Sequence, residues 1–97
     1  VIVSFHPAAE VEYESALTRL AGEAGVRIAE DFASEFWRTI DLIRRRPELG
    51  APAPRTTRKL TLRQFRYNII YRVEPEAVRI LAVAHHHRRP GYWAHRR

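Results

Sequence analysis

Apolar residues along this chain change period twice, and those changes mark out its elements. Val1-Ile2-Val3 is a short apolar run that predicts a strand. Beyond His6-Pro7, where proline suits a first helical position, Ala9, Tyr13, Ala16, Leu17 and Leu20 recur at helical spacing on one face. Gly22 and Gly25 bracket a break. A second amphipathic stretch, Val26 to Arg46, carries Ala29, Phe32, Ala33, Phe36, Ile40 and Ile43 as its stripe and is closed by Pro47 and Gly50. The short break predicts an antiparallel helical hairpin. Carboxylates sit early in both helices (Glu10, Glu12 and Glu14; Glu30, Asp31 and Glu35), and Arg44-Arg45-Arg46 sit late in the second, as the helix dipole favours.

Downstream the period falls to two. Ala51 to Thr57 (APAPRTT) reads as a proline-bearing loop. From Arg58 to Gln64, Leu60 and Leu62 alternate with Lys59, Thr61 and Arg63, which predicts a half-buried strand with one basic face. Phe65-Arg66 turns the chain into a second strand, Tyr67 to Val73, whose Tyr67, Ile69, Tyr71 and Val73 share a face. Tyr67 and Tyr71 are expected in the core with their hydroxyls at its margin. Glu74 to Ala77 is a turn, and from Val78 alternation disappears: Ile80-Leu81-Ala82-Val83-Ala84 predicts a strand buried on both faces. The hairpin must cover the apolar face of this meander, because neither layer buries its surface alone. The expected fold is therefore α+β. A short N-terminal strand and an antiparallel two-helix hairpin pack on a mainly antiparallel three- to four-stranded sheet, as one domain over residues 1–97.

Composition narrows the function classes. Hydrophobic residues make up 45% of the chain, enough for a globular core. There is no cysteine, which excludes disulfides and thiolate metal sites. No apolar run approaches the ~20 residues of a membrane span and no signal-peptide pattern opens the chain, so a cytoplasmic location and no membrane partner are expected. With no methionine anywhere, Val1 is not expected to be the translational start. The net charge of +6 is segregated: eight acids and three bases up to Ile43, three acids and fourteen bases from Arg44 onward. Sixteen of the seventeen bases are arginine, whose planar fork suits phosphate and carboxylate, so the second half reads as a docking surface for nucleic acid, a ribosome or an acidic protein.

Candidate chemistry collects where the doubly buried strand ends, at His85-His86-His87-Arg88-Arg89-Pro90-Gly91-Tyr92-Trp93. On extended backbone His85 and His87 face one way and His86 the other. No neighbouring carboxylate completes a ligand set and the arginines repel cations, so no metal and no cofactor is expected. A histidine here serves as general acid or base, or as a hydrogen-bonding group at a strand end. Arg88, Arg89, Arg96 and Arg97 interleave with Tyr92 and Trp93 as in single-stranded RNA recognition; the alternative is that Trp93 folds back into the core and the arginines are solvated. Lys59, Arg63 and Arg66 either receive phosphate or an acidic peptide, or are a solvated face. There is no phosphate-binding glycine loop, no serine nucleophile context and no catalytic carboxylate pair.

The order of these elements resembles the RelE/ParE superfamily of type II toxin–antitoxin toxins over nearly the whole chain. The resemblance is carried by PAAEVEYESAL in the first helix, IDLIRRRPELGAP at the end of the second, the basic strand RKLTLRQF, then YNIIYRV and ILAVAHHHRRPGYW. It implies a small toxin, also known in the plasmid stabilisation setting, held inactive by a cognate acidic antitoxin. RelE-like members cut messenger RNA on the ribosome; by that resemblance the catalytic set here would be Arg63, His87, Arg88, Arg89 and Tyr92. ParE-like members inhibit DNA gyrase and need no such set. The chain departs from the RelE pattern, with Asn68 where an arginine opens the third strand and His86 or His87 where another follows the fourth. The LAVAH and RPELG segments are similar to the ParE branch, so gyrase inhibition is the expected activity, with messenger RNA cleavage or a non-toxic binding module as alternatives. Target and antitoxin contacts are expected at Lys59, Arg63, Arg66, Arg88, Arg89 and Trp93.

Overall fold

Proline at the start of a helix removes a donor that would have no partner, and the imidazole before it satisfies another. His6 Nδ1 accepts from the Ala8 amide at 3.0 Å, capping α1 (Pro7–Ala24). In this computed structural model, which describes residues 1–97, α1 runs through Gly22 without interruption. The break expected between Gly22 and Gly25 is Gly25 alone: at φ 101° it turns the chain directly into α2 (Val26–Arg45). A 3₁₀ turn, Pro47–Leu49, follows α2.

Five strands form one sheet in the order β1-β5-β4-β3-β2: β1 (Ile2–Phe5), β2 (Ala51–Ala53), β3 (Thr57–Thr61), β4 (Tyr67–Glu74) and β5 (Ala77–His85). The 51–57 segment expected as a loop contains β2, which raises the strand count above three or four. Its Pro52 is tolerated because β2 is an edge strand, where one missing donor costs nothing. The strand expected over 58–64 stops at Thr61, although Leu62 is still buried and its amide reaches Tyr67 O at 2.9 Å. Strands β2 to β5 are antiparallel neighbours, whereas β1 joins β5 in parallel, with Phe5 opposite Ile80. A parallel pairing needs a long connection: the helical hairpin carries the chain from β1 to β2 at the far edge of the sheet, and the meander β2 to β5 then returns to lie beside β1.

A β-bulge sets which residues of β5 face the helices. Tyr71 pairs with Ile80 and Ile70 with Ala82, so Leu81 is an extra residue on β5. Val78, Ile80 and Val83 then join the core under the hairpin, while Ala82 joins Ile70 and Trp93 on the opposite face. All five residues from Ile80 to Ala84 are buried, as the unbroken apolar run predicts.

Under the hairpin, α2 supplies Phe32, Phe36, Ile40 and Ile43, and aromatic contacts tie the two helices together and α2 to the sheet. Tyr13 lies 4.4 Å from Phe36 between ring centroids, and Phe32 meets Tyr67 at 5.3 Å and Phe65 edge-on at 5.2 Å. Each fully buried side chain of this size contributes about 1.5–3 kcal/mol.

Tyr71 is fully buried, and its hydroxyl holds the chain where it leaves α2. It donates to Pro47 O at 2.7 Å and accepts from the Gly50 amide at 2.8 Å. A β-carbon on Gly50 would meet that oxygen at 2.7 Å, so only glycine fits. Tyr71→Phe strands both partners and is expected to lower unfolding free energy by about 1–3 kcal/mol. Urea denaturation would check this, and an unchanged midpoint would mean that solvent replaces the hydroxyl.

Candidate functional site

β1 ends at Phe5 because the chain turns into α1, so the edge of β5 beyond Ile80 has no strand beside it. The bulge aims Leu81 O and the Val83 amide at that vacant side. Glu12, from α1, and Arg96, from the C-terminal segment, take their place. Glu12 Oε1 accepts from the Val83 amide at 2.9 Å, and Arg96 Nη1 donates to Leu81 O at 3.0 Å. The two side chains also form a bidentate ion pair, with Nη1–Oε1 and Nη2–Oε2 both at 2.9 Å, and they are 14% and 9% exposed. The Tyr92 hydroxyl completes the cluster, donating to Glu12 Oε2 at 2.7 Å. Burial, then the hydrogen bond to Glu12 and its negative charge, push the Tyr92 phenol far above its usual range, so it stays protonated. Burial alone would lower the Arg96 pKa, but the Glu12 hydrogen bonds and charge outweigh it and hold the guanidinium above its ordinary value.

These contacts fold residues 89–96 back over the sheet as consecutive tight turns, with Gly91 at φ 76°. Trp93 is thereby placed inside, 5% exposed and packed with Ile70 and Ala82, not out on a surface where a partner would stack on it. Of the residues expected to touch a target, it is the one the fold buries. Arg97 is held too, its carbonyl accepting from Arg72 at 2.8 Å.

The remaining candidates divide between two sides of the molecule. Arg88 lies over the Tyr92 ring, 3.8 Å from its centroid. Arg66 is brought close to the end of β5, where its carbonyl accepts from the His86 amide at 2.8 Å. Arg66, Arg88 and Arg89 are exposed, and none has a carboxylate partner. His85 stands edge-on to Tyr67 at 5.1 Å and to the exposed His87 at 5.0 Å, and its Nδ1 accepts from the His87 amide. Burial, then the positive charges of Arg19, His87, His86 and Arg66, lower the His85 pKa. Arg63 lies elsewhere. Its amide binds Glu35 at 2.7 Å, and it lines a groove of about 900 Å³ between α2 and β3 together with Arg38, Leu42, Leu49 and Leu60. Thr61 lines the same groove, and Lys59, two residues before it on β3, sits across from Ile70. The set Arg63, His87, Arg88, Arg89 and Tyr92 is therefore not gathered in one cleft.

Glu12 is the residue that sequence reasoning misplaced, as a dipole partner of α1. Its position gave a signal. It stands three residues after Ala9 and four before Ala16, both buried, so its carboxylate lies on the inward face of the helix.

A family model described as ParE toxin of type II toxin–antitoxin system, parDE, matches residues 3–90. Comparison with curated proteins finds no match. Among solved structures, a chain from the chromosomal ParDE TA system of P. aeruginosa superimposes with a TM-score of 0.77 at 16% identity, covering 88% of this chain and 95% of that one. At that identity the likeness establishes the fold.

Glu12→Ala leaves a buried guanidinium, the Val83 amide and the Tyr92 hydroxyl without their acceptor, and is expected to cost about 3–5 kcal/mol. Tyr92→Phe removes one hydrogen bond and is expected to cost about 1–3 kcal/mol. A double-mutant cycle of Glu12→Ala with Arg96→Ala should show the pair's loss to be far from additive; additive losses would mean the ion pair is not coupled.

A second expectation concerns pH. Burial, then the charges of Arg96, Arg79 and His95, lower the His6 pKa, and His85 is lowered as described above. A folded-state value below the unfolded one, about 6.5, means the unfolded chain takes up protons first. Stability is then full above the unfolded value and falls as pH drops through the lower folded values. Urea midpoints between pH 7.5 and 5 should decline, and His6→Asn with His85→Asn should flatten the decline.

Proposed function

The chain belongs to the ParE toxin family of type II toxin–antitoxin systems, and on that premise we propose that it acts by binding and inhibiting DNA gyrase, without catalysis of its own. A toxin of this kind is neutralised by its cognate antitoxin. The observation that carries the non-catalytic reading is the state of Tyr92. Cleaving a phosphodiester through its 2′-hydroxyl calls for a general acid or base within reach of the reacting atoms. The Tyr92 hydroxyl is instead spent on Glu12, its phenol is held protonated, and its ring lies beneath Arg88. Arg63, another member of the RelE-like set, lines a different groove.

In this reading target recognition is electrostatic and falls to the exposed cations Lys59, Arg66, Arg88 and Arg89, with buried Trp93 holding their scaffold. Clustered positive charge speeds encounter with an anionic surface and orients it. The antitoxin's acidic segment is assigned to the groove between α2 and β3. That groove offers apolar Leu42, Leu49 and Leu60 beside Arg38 and Arg63; of the acids Asp31 and Glu35 that also line it, Glu35 is engaged by the Arg63 amide, and the edge of β3 past Lys59 is free of β2. A segment that folds on binding would bury apolar surface there while its acids meet the arginines.

The RelE-like reading keeps one supporting observation, the exposed His87, Arg88 and Arg89 beside one another. Parallel assays separate the two. Purified protein is expected to abolish gyrase supercoiling and to leave ribosome-bound message intact. Charge reversal of Arg66 and Arg89 to Glu should weaken inhibition by roughly tenfold or more, a difference of about 1.4 kcal/mol. Codon-phased cuts lost in His87→Ala with Arg88→Ala would overturn the gyrase reading, and unaffected growth on expression without antitoxin would point to a binding module.

A further inference from the structure

Beside the end of β5 lies a cleft of about 290 Å³, of whose lining the gyrase reading uses only Arg88. Its floor is apolar, made by buried Ala16 and Val83, and its rim carries Arg19, Arg88, His85 and Ser15. We propose that this cleft between α1 and the C-terminal end of β5 binds a phosphate monoester, gripped by Arg19 and Arg88.

Both arginines are held in place by aromatic rings. Arg19 donates to the Tyr67 hydroxyl and lies 5.5 Å from that ring's centroid, and Arg88 lies 3.8 Å from the centroid of Tyr92. Arg88, stacked on its ring, keeps its edge donors free; Arg19 spends one donor on the Tyr67 hydroxyl and keeps the others, and both contacts restrict the side chain, so less ordering remains when a ligand arrives. Their charge is poorly compensated. Arg88 has no acidic partner, and Glu23 approaches Arg19 only at 3.9 Å from an exposed position. Glu12 lines the same cleft, but its two oxygens already accept from Val83, Tyr92 and Arg96. Because His85 Nδ1 accepts from the His87 amide, the ring proton sits on Nε2, which adds a donor.

A phosphate monoester suits this arrangement better than a diester. It presents three terminal oxygens and up to two charges, matching two forks and an imidazole. The volume sits at the small end of ligand sites, with room for a phosphate and part of what it is attached to. The cleft shares Arg88 with the surface assigned above to target recognition, but Arg19, Ser15 and His85 have no part in that reading, and binding of a phosphate here does not depend on which target the rim meets.

The test follows amide and imidazole resonances of the whole chain during titration with inorganic phosphate and with AMP, at constant ionic strength set by chloride. Adenosine and an oligonucleotide lacking a terminal phosphate serve as controls. Saturable shifts at Arg19, His85 and Arg88 are expected with phosphate and AMP and not with the controls. Arg19→Gln and Arg88→Gln should each weaken binding about tenfold or more, while Arg55→Gln, in the turn between β2 and β3, should leave it unchanged. Phosphate should also raise the His85 pKa, which Arg19 on α1, Arg66 on the β3–β4 turn, and His86 and His87 beyond β5 all now depress. Comparison of AMP with a 5′-phosphorylated dinucleotide shows whether the monoester comes from a free nucleotide or a strand end. Equal shifts from chloride, tighter binding of the unphosphorylated oligonucleotide, or undiminished binding in both arginine variants would each overturn the proposal.

Discussion

A sheet strand whose neighbour ends early leaves backbone donors and acceptors facing an interior that cannot hydrate them. In this chain that strand is β5, and its neighbour β1 leaves the sheet after Phe5. Orphaned backbone groups cost free energy comparable to a lost hydrogen bond each, so the edge must be filled. The Glu12–Arg96 ion pair fills it from two directions, carboxylate to the Val83 amide and guanidinium to Leu81 O. Burying two charges is expensive unless their remaining valences are met. Here the Glu12 oxygens accept four hydrogen bonds between them, and on Arg96 only Nε lacks a partner. One pair thus joins α1, β5 and the C-terminal turns.

From that junction the second face of the sheet follows. Arg96 and Tyr92 are anchored to Glu12, so the residue following Tyr92 is carried across the back of the sheet. Trp93 covers Ile70 and Ala82 there. β5 is consequently buried on both faces although helices cover only one. Three consecutive turns and one tryptophan do the work that a second layer of helices would do in a larger domain. The arginines that flank these aromatics in sequence separate by task. Arg96 is internal, Arg97 ties down through its carbonyl, and Arg88 and Arg89 are left at the surface.

Much of this was legible in the residues. Helical spacing located both helices, and the unbroken run Ile80 to Ala84 announced a doubly buried strand. Tyr71 reached the core with its hydroxyl at the margin, as the alternation in β4 implied. What escaped has physical reasons. β2 contains a proline and only three residues, so neither propensity nor period marks it as a strand; only its partner β3 makes it one. Gly22 resembles a breaker, yet on an exposed turn of α1 its cost of about 1 kcal/mol is outweighed by the core packing of Ala16, Leu17 and Leu20 in the turns before it. The bulge at Leu81 changes facing without changing composition. Glu12 was read by its nearness to a helix start, when its registration with Ala9 and Ala16 mattered more. Ion pairs spanning 84 residues leave no local trace.

The same junction bears on which chemistry the fold permits. For Tyr92 to act on a substrate, its hydroxyl would have to leave Glu12, which would place an extra unmet valence on a carboxylate already serving Arg96 and Val83. Movement of Tyr92 would also withdraw the ring beneath Arg88 and loosen Trp93 from Ile70. Catalytic use of this tyrosine is therefore coupled to partial opening of the fold, a cost that a rigid binding protein never meets. The exposed cations carry no such penalty: Arg66, Arg88 and Arg89 stand at the surface without acidic partners, so an incoming anion need displace only water. The interior uses its aromatic and charged groups to close the sheet, so the groups left open to a partner are those of the rim, and the proposed action by occupying a surface asks nothing of the buried ones.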